Sequence, residues 1–340
     1  MYITLKEIRE QPEAIQFVKE EFEKKIEKID ALLSDASSFL FTGCGSSHYL
    51  GLTGAALMNQ HAKANAAPSG EICLSPKQIP NIMPDVIVPI SRSGETTETL
   101  RAIKYFRGTI PGVKVLSVSC TDGSAIQELS DLSLLSKGGA EDSVVMTKSF
   151  SSMLVILQLL SEQKRGKVSL NLKRLSENSR KIIEKNEGQL KKIGCRNDLR
   201  RFIFLGTGEY YGLAAEAMLK IKEMALTWSE AYHPLEFRHG PISIADGETL
   251  VTFLWPDRGI EEHRTLLEEV RNIGAETLVI GRKEQLKGVD SDHVIHIPSD
   301  KTRPSPALYM PAVQLLCYYR SVNLGLNPDR PNNLAKVVKI

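Results

Sequence analysis

The stretch Phe39-Leu40-Phe41-Thr42-Gly43-Cys44-Gly45 recurs 163 residues later as Phe202-Ile203-Phe204-Leu205-Gly206-Thr207-Gly208. Each copy is a short apolar run that ends in a Gly-x-Gly pair, which is typical of a buried strand followed by a tight turn. Two further strand-like runs recur 162 residues apart, namely Val115–Val118 with Thr277–Ile280 and Asp131–Leu134 with His293–His296. Runs that return in the same order at one offset indicate a duplicated domain. Because strand-like runs alternate with helical segments in each half, we predict an α/β fold with two parallel sheets, each flanked by helices.

The repeat also sets the predicted domain organisation. We predict a helical segment at residues 1–35, a first domain at 36–165, a helical connector at 166–198, a second domain at 199–328 and a tail at 329–340. Residues 12–33 place apolar side chains three or four apart, which predicts a single amphipathic helix with Pro12 near its first turn.

The stretch Ser91-Arg92-Ser93-Gly94-Glu95-Thr96-Thr97 lies where a predicted buried strand ends and a helical pattern begins. The first turn of a helix offers N–H groups and a positive dipole end, and both favour an anion. The hydroxyls of Ser91, Ser93 and Thr96 add neutral donors. No lysine follows in the G-x-x-x-x-G-K pattern of a nucleotide-binding loop, so a small phosphorylated metabolite fits better. An ordinary helix cap is the alternative interpretation.

The Gly-x-Gly pairs lie where a dinucleotide would bind in a doubly wound fold. The dinucleotide fingerprint has a third glycine three residues after the second, and those positions hold His48 and Tyr211. A nicotinamide or flavin site is therefore not expected.

Ser46 and Ser47 follow the first Gly-x-Gly pair, so they bring more hydroxyls to the sheet edge where such folds bind ligands. The second half has Glu209-Tyr210 in their place and Trp255-Pro256-Asp257-Arg258 in place of the Ser-Arg-Ser-Gly cluster. We therefore expect the first half to bind phosphate and the second half to serve another purpose.

The second half supplies candidates for acid–base chemistry. Glu216, Lys220 and Glu223 are spaced four and three apart, so they form one stripe of a predicted helix. A partly buried glutamate beside a lysine can move a proton, although an intrahelical salt-bridge ladder is the simpler interpretation. His239, before a Gly-Pro turn, and Lys336, in the tail, are ordinary polar residues when the pattern alone is considered.

Composition excludes several classes of protein. The net charge of +2 argues against general electrostatic binding to nucleic acid, and no apolar stretch approaches the roughly 20 residues that a membrane span needs. The start lacks the profile of a signal peptide, so we expect a cytoplasmic protein. The five cysteines are widely separated and form no C-x-x-C pair, so neither a disulfide framework nor a metal site is expected.

Several of these motifs together resemble proteins with tandem sugar isomerase (SIS) domains, most closely the isomerase half of glucosamine-6-phosphate synthase. The motifs follow one another in the family's order along nearly the whole chain: Lys6–Pro12, Gly43–Ser47, Ser93–Thr96, Thr147–Phe150, Leu219–Glu223, Glu236–Pro241 and Asn333–Lys336. The resemblance implies two tandem SIS domains, each a flavodoxin-like αβα sandwich.

The resemblance also implies roles for residues at one site. Ser47, Ser91, Ser93 and Thr96, with Ser46 and Arg92 beside them, match positions that hold a sugar 6-phosphate, and Val144 and Ala335 match backbone contacts to the sugar. Glu223, with Lys220 beside it, matches the base that moves a proton between C1 and C2. His239 matches a ring-opening residue from the neighbouring subunit, and Lys336 matches a lysine that forms an imine with the ketose. A homodimer, a small amino-sugar phosphate as the substrate and no cofactor are expected.

Three departures from the family pattern bear on function. We expect no glutaminase domain with a leading cysteine, because Tyr2 follows Met1. Arg92 stands where the synthase has Gln, and Asn332 and Val337 replace an Arg and a small hydroxyl. Without ammonia delivery we expect the reverse chemistry, the deamination of glucosamine 6-phosphate. The alternatives are a deglycase or another isomerase or deaminase of a sugar phosphate, a synthase subunit supplied with ammonia by a separate glutaminase, and a non-catalytic sugar-phosphate sensor.

Overall fold

The computed structural model describes residues 2–79, 83–298 and 305–336. These residues fall into two compact units. The first-sheet unit consists of the described residues of Glu10–Asp142, Met146–Ser176 and Ala335–Ile340, and the second-sheet unit of those of Met1–Arg9, Ser143–Val145 and Glu177–Leu334. The domain limits predicted from the sequence stay predictions.

The first-sheet unit is built on a parallel sheet. Its described part has five strands in the order β2-β1-β3-β4-β5, with the bounds β1 Ser38–Gly43, β2 Lys63–Pro68, β3 Val86–Ser91, β4 Lys114–Ser119 and β5 Leu132–Leu135. Every residue of β3 is buried, as its apolar run Val86-Ile87-Val88-Pro89-Ile90 predicts for a central parallel strand. The order reverses between β1 and β3, so a crevice opens at their carboxyl ends.

Helices cover this sheet, with the bounds α2 Gln11–Lys24, α3 Ile26–Ser34, α4 Ser46–Met58, α5 Ser69–Leu74, α6 Thr97–Thr109, α7 Ala125–Glu128 and α8 Lys148–Lys164. The apolar side chains of α6 pack on the sheet, where Ile103 and Phe106 join Leu40 and Ile87 in one core cluster. Burial of such an apolar stripe is what holds an amphipathic helix in place.

The prediction of one helix over residues 12–33 is wrong in one respect. The segment forms two helices, α2 and α3, which meet at Lys25, whose backbone (φ −114°, ψ 9°) is not helical. The Lys25 ammonium donates a 2.7 Å hydrogen bond to the carbonyl of Ser133 and also binds Glu21. This tertiary contact fixes Lys25 at the break, and no residue pattern in the segment predicts it.

The second-sheet unit repeats the architecture. Within the described residues its sheet has five parallel strands in the order β10-β9-β8-β6-β7, with the bounds β6 Arg201–Leu205, β7 Trp228–Tyr232, β8 Thr249–Leu254, β9 Glu276–Arg282 and β10 His293–Ile297. Read from β7, this is the order of the first sheet, strand for strand. The predicted duplication and the two helix-flanked parallel sheets are therefore confirmed.

The helices of this unit are α1 Ile3–Arg9, α10 Glu209–Ala225, α11 Pro234–Phe237, α12 Ile260–Asn272 and α13 Met310–Asn323. The chain passes between the units within α9, Leu172–Gly194, which lies in the predicted connector. Leu266 and Val270 of α12 pack on Val251 and Val279 of the sheet. Helix α10 packs along α13, and this contact buries one side of α10.

Candidate functional site

The turn between β1 and α4 brings two serines to the carboxyl edge of the first sheet. Gly45 precedes α4 with φ 54° and ψ −126°, a backbone conformation that is essentially restricted to glycine. Ser46 and Ser47 form the start of the helix, and each is 6% exposed. The N-terminus of α4 thus lies at the carboxyl edge of the sheet beside β3, and the positive end of its dipole favours an anion there.

The loop after β3 is held by its own hydroxyl groups. Ser91 Oγ lies 3.0 Å from Thr96 Oγ1 and accepts a 3.1 Å hydrogen bond from the Gly94 N–H. Ser93 Oγ accepts a 3.1 Å bond from the Glu95 N–H. Thr96 precedes α6 but makes no side-chain capping bond to that helix, so the ordinary-cap interpretation of this loop does not hold for Thr96.

The two loops are neighbours because their strands pair directly, with Thr42 of β1 opposite Pro89 of β3. Ser46 and Ser47 therefore lie at the same sheet edge as Ser91, Ser93 and Thr96, at the point where the strand order reverses. Two helix N-termini and a group of hydroxyls at such a point form an arrangement suited to one phosphate.

Arg92 and the tail meet beside this loop. The Arg92 guanidinium donates to a carboxylate oxygen of Glu141 at 3.4 Å and to the main-chain carbonyl of Lys336 at 3.2 Å. The Lys336 ammonium donates to the main-chain carbonyl of Glu141. Ala335 and Lys336 thus belong to the first-sheet unit. Val337 lies outside the described residues.

Glu141 is a residue that the sequence analysis missed. Its carboxylate is fully buried and accepts hydrogen bonds at 2.6 Å from both the N–H and the hydroxyl of Thr147. It also accepts bonds from the N–H and the hydroxyl of Ser149. The motif Thr147–Phe150 pointed to this region, but nothing in the sequence around Glu141 shows that a glutamate in a loop will be buried.

In the second-sheet unit, α10 carries a buried ionic cluster. The Lys220 side chain is 1% exposed, and its ammonium lies 3.4 Å from Glu216, which is fully buried, and donates a hydrogen bond to Glu223. A buried ammonium needs such partners because desolvation penalises the charged form. The structure thus contains the salt-bridge ladder: Lys220 is paired on both sides, while the Glu223 side chain remains 17% exposed. Glu216 was identified in the sequence as part of the stripe but was not assigned a role.

Helix α13 adds a neutral neighbour to this cluster. Burial raises the pKa of the Cys317 thiol, so it stays protonated. Its sulfur donates to the Ala217 carbonyl at 3.9 Å on α10.

His239 and Val144 also lie in the second-sheet unit. His239 is exposed and follows α11, and its N–H bonds to the Glu236 carbonyl at 3.0 Å. The Val144 N–H bonds to the Asp329 carbonyl at 3.3 Å. Next to it, Ser143 donates a hydrogen bond to the buried carboxylate of Glu7, which gives part of the Lys6–Pro12 motif a structural role.

The predicted site residues thus divide between the two units. The first-sheet unit brings together Ser46, Ser47, Ser91, Arg92, Ser93, Thr96, Ala335 and Lys336, and the second-sheet unit contains Val144, Lys220, Glu223 and His239. No group of three or more His, Cys, Asp or Glu side chains in the described residues could hold a metal ion. Within the same residues, no helix is both long enough and apolar enough to cross a membrane.

Comparison with known proteins gives a consistent result. A family model described as the SIS domain matches residues 32–162 and 197–320. A curated relative, glutamine–fructose-6-phosphate aminotransferase (isomerizing) from Pyrococcus horikoshii, is 30% identical over 349 residues that cover 100% of this chain and 58% of the relative. The chain therefore spans less than two thirds of the length of that relative.

Solved structures match along the full chain. Glucosamine-6-phosphate deaminase from Thermotoga maritima is 31% identical with a TM-score of 0.84, over 98% of this chain and 99% of that one. The C-terminal domain of glucosamine-fructose-6-phosphate aminotransferase from Francisella tularensis has a TM-score of 0.85 over 97% and 98% of the two chains; at 24% identity it shows the fold alone. With two matched SIS domains that correspond to its two sheets, this chain belongs to the SIS domain family.

Proposed function

We propose that this chain is a deaminating isomerase that converts glucosamine 6-phosphate and water into fructose 6-phosphate and ammonia. The observation that carries the proposal is the Lys220–Glu223 pair, in which a buried lysine holds a carboxylate that is still 17% exposed. The similarity to a glucosamine-6-phosphate deaminase over 99% of that protein's chain supports the direction of the reaction.

The 6-phosphate binds to the hydroxyls of Ser47, Ser91, Ser93 and Thr96 and to the N-terminal ends of α4 and α6. Neutral donors and helix dipoles suit a phosphate dianion because they supply hydrogen bonds and a positive potential at the anion. Ser46 lies in the same turn, and Val144 and Ala335 contact the sugar through their main chains.

Glu223 is the general base. In the open-chain sugar the C1 aldehyde acidifies the C2–H bond, so a carboxylate can remove the C2 proton and return a proton to C1. The amine at C2 then becomes an imine, water adds to the C=N bond, and ammonia leaves to give the ketose. Lys220 orients the Glu223 carboxylate through the hydrogen bond that it donates, and the chemistry requires no redox step.

His239 opens the sugar ring. In the reverse direction the Lys336 amine condenses with the C2 carbonyl of the ketose, so that an imine forms and water leaves. His239 is exposed in its unit, which suits a group that acts on the substrate of a neighbouring subunit. We therefore propose a homodimer in which each His239 serves the partner's site.

The test is the parallel measurement of ammonia and fructose 6-phosphate from glucosamine 6-phosphate. We expect equal amounts of both from the wild type, and a loss of about 10²–10⁴-fold in kcat for Glu223→Gln, because that is the usual contribution of general acid–base catalysis. Glu261→Gln on α12, a change in an exposed carboxylate of the same unit, is the matched control and keeps full turnover.

Two results would contradict the proposal. Near wild-type turnover by Glu223→Gln would remove the assigned base. Absence of both products, while the sugar phosphate still raises the melting temperature, would leave the phosphate site in place and reject the substrate. Sugar phosphates linked to an amino acid, and tagatose phosphates, would then be assayed next.

A further inference from the structure

Arg92 lies within the proposed phosphate loop, yet its guanidinium donates hydrogen bonds to Glu141 and Lys336, which lie outside that loop. We propose that Arg92 is a positioning residue that holds the tail carbonyl of Lys336 and so places the Lys336 amine, rather than a residue that binds the substrate. Its effect on catalysis rests on the proposed function, because the Lys336 amine acts there on the ketose. Its effect on the tail does not depend on which sugar is the substrate.

The guanidinium uses two nitrogen atoms for two different acceptors. Nη1 donates to the Glu141 carboxylate at 3.4 Å, and Nη2 donates to the Lys336 carbonyl at 3.2 Å. A planar guanidinium presents its donors in a fixed fork, so the two bonds set the position of one acceptor relative to the other. A glutamine at this position has a single amide group and no charge.

The Lys336 side chain closes a ring of interactions. Its ammonium donates to the Glu141 main-chain carbonyl, while the Glu141 carboxylate accepts from Arg92. Arg92, Glu141 and Lys336 are thus joined pairwise by hydrogen bonds. Replacing the Arg92 side chain removes two of these three links, including the one that holds the tail backbone.

Charge explains why Arg92 stays on Glu141. The Glu141 carboxylate is fully buried, and the Arg92 side chain is 10% exposed. If Arg92 turned to a substrate anion, a buried carboxylate would lose a cationic partner, which is costly. Because Glu141 also binds the N-terminal turn of α8 through Thr147 and Ser149, it is a fixed anchor for the tail.

The experiment measures how often the tail opens. Cleavage after Lys336 by a lysine-specific protease requires local release of the tail, so its rate reports the open population. Because hydrogen bonds of a charged group are lost, we expect the rate to rise at least about tenfold in Arg92→Gln. Arg92→Lys, which keeps the charge without the fork, is expected to lie between the two. Arg101→Gln on α6, an exposed position, is the matched control and leaves the rate unchanged.

A double-mutant cycle measures the effect on catalysis. Arg92→Gln is expected to lower kcat about tenfold and to change KM by less than about threefold, and in the Lys336→Ala background it has little further effect on kcat. A large rise in KM with kcat kept, or an equal loss in both backgrounds, would overturn the proposal. If the wild type does not turn over glucosamine 6-phosphate, the proposed function fails, and an unchanged cleavage rate in Arg92→Gln would still overturn the role of Arg92 in holding the tail.

Discussion

The carboxyl edges of the two sheets carry the same turn and entirely different side chains. Gly45 after β1 has φ 54° and ψ −126°, and Gly208 after β6 has φ 58° and ψ −128°. A helix begins directly after each glycine. The duplication has therefore preserved the backbone of a strand–turn–helix anion site at both edges.

The carboxyl edge of the first sheet, at β1 and β3, is called the first edge, and that of the second sheet, at β6 and β8, the second edge. At the second edge, large buried side chains stand where the first edge has small hydroxyl residues. Tyr210 stands at the position equivalent to Ser47, and the pairing of β6 with β8 puts Trp255 at the position equivalent to Ser91. Tyr210 is 1% exposed and Trp255 is fully buried. The Asp257 carboxylate lies in the loop after β8 and accepts bonds from Arg282 at 3.3 Å and Gln285 at 2.5 Å. A partly buried carboxylate and two buried aromatic rings thus stand at the second edge.

If the first edge binds the phosphate as proposed, side chains rather than the backbone distinguish it from the second edge. The first edge keeps small hydroxyl residues at a helix N-terminus. The second edge has large buried side chains instead, and its helix α10 carries Lys220 and Glu223 about three to four turns from its start.

The largest expected effect is on stability at the second edge. Trp255→Ala is expected to lower the free energy of unfolding by about 3–5 kcal/mol, because it removes a fully buried ring that contacts Phe253 and His263. Urea unfolding measures this change. A loss under about 1 kcal/mol would show that the second edge is not a packed core.

The next effect is on catalysis at the first edge. Ser47→Ala combined with Ser91→Ala removes two proposed donors to the phosphate, each of which contributes about 1.5–3 kcal/mol when the acceptor is charged. We expect kcat/KM to fall about 100-fold or more, measured by ammonia release. Thr207→Ala in the equivalent turn of the second edge is the matched control and changes kcat/KM less than about threefold. An equal loss of kcat/KM in the double serine variant and in Thr207→Ala would contradict the proposal that only the first edge binds the phosphate.

The two turn glycines provide a paired comparison. Gly45→Ala and Gly208→Ala each place a Cβ in a conformation that only glycine adopts readily, so both are expected to lower the free energy of unfolding by about 1–3 kcal/mol. Only Gly45→Ala is expected to lower kcat/KM as well. Equal effects of the two variants on kcat/KM would contradict the assignment of the ligand to the first edge.

The smallest effect concerns pH. Burial lowers the pKa of His48 in α4 and of His263 in α12. Below about pH 6.5 the unfolded chain takes up protons that these folded imidazoles do not. The contribution of these two groups to the free energy of unfolding should therefore be constant above that pH. Below it, the free energy of unfolding should fall. Urea titrations at several pH values should show a weaker fall in His48→Gln and in His263→Gln, and an unchanged fall in both would contradict the assignment.

The sequence predicted those parts of the fold that depend on local patterns. The repeated runs at Phe39 and Phe202 gave the two sheets, because a buried parallel strand needs a continuous apolar run and a glycine turn at its end. The break at Lys25 was missed, because it depends on a contact with Ser133 more than 100 residues away.

For the candidate site, too, the features that depend on local spacing were predicted from the sequence and those that depend on distant contacts were not. The hydroxyl cluster at Ser91–Thr97 and the stripe on α10 follow from spacing, and both are present in the structure. The role of Glu141 was not predictable, because its partners Arg92 and Lys336 are 49 and 195 residues away. The role of His239 follows from the family resemblance alone, because neither its spacing in the sequence nor its contacts in the structure indicate a function.

The most direct test of the account is a calorimetric binding titration with 2-amino-2-deoxyglucitol 6-phosphate, which carries the phosphate and amine but no reactive carbonyl. In the proposed mechanism the first edge binds the phosphate and Glu223 on α10 transfers the proton. We therefore expect Glu223→Gln to bind this compound within about threefold of the wild type, and Ser47→Ala with Ser91→Ala to bind it about 100-fold more weakly or not at all. Wild-type affinity in the serine variant would contradict the account.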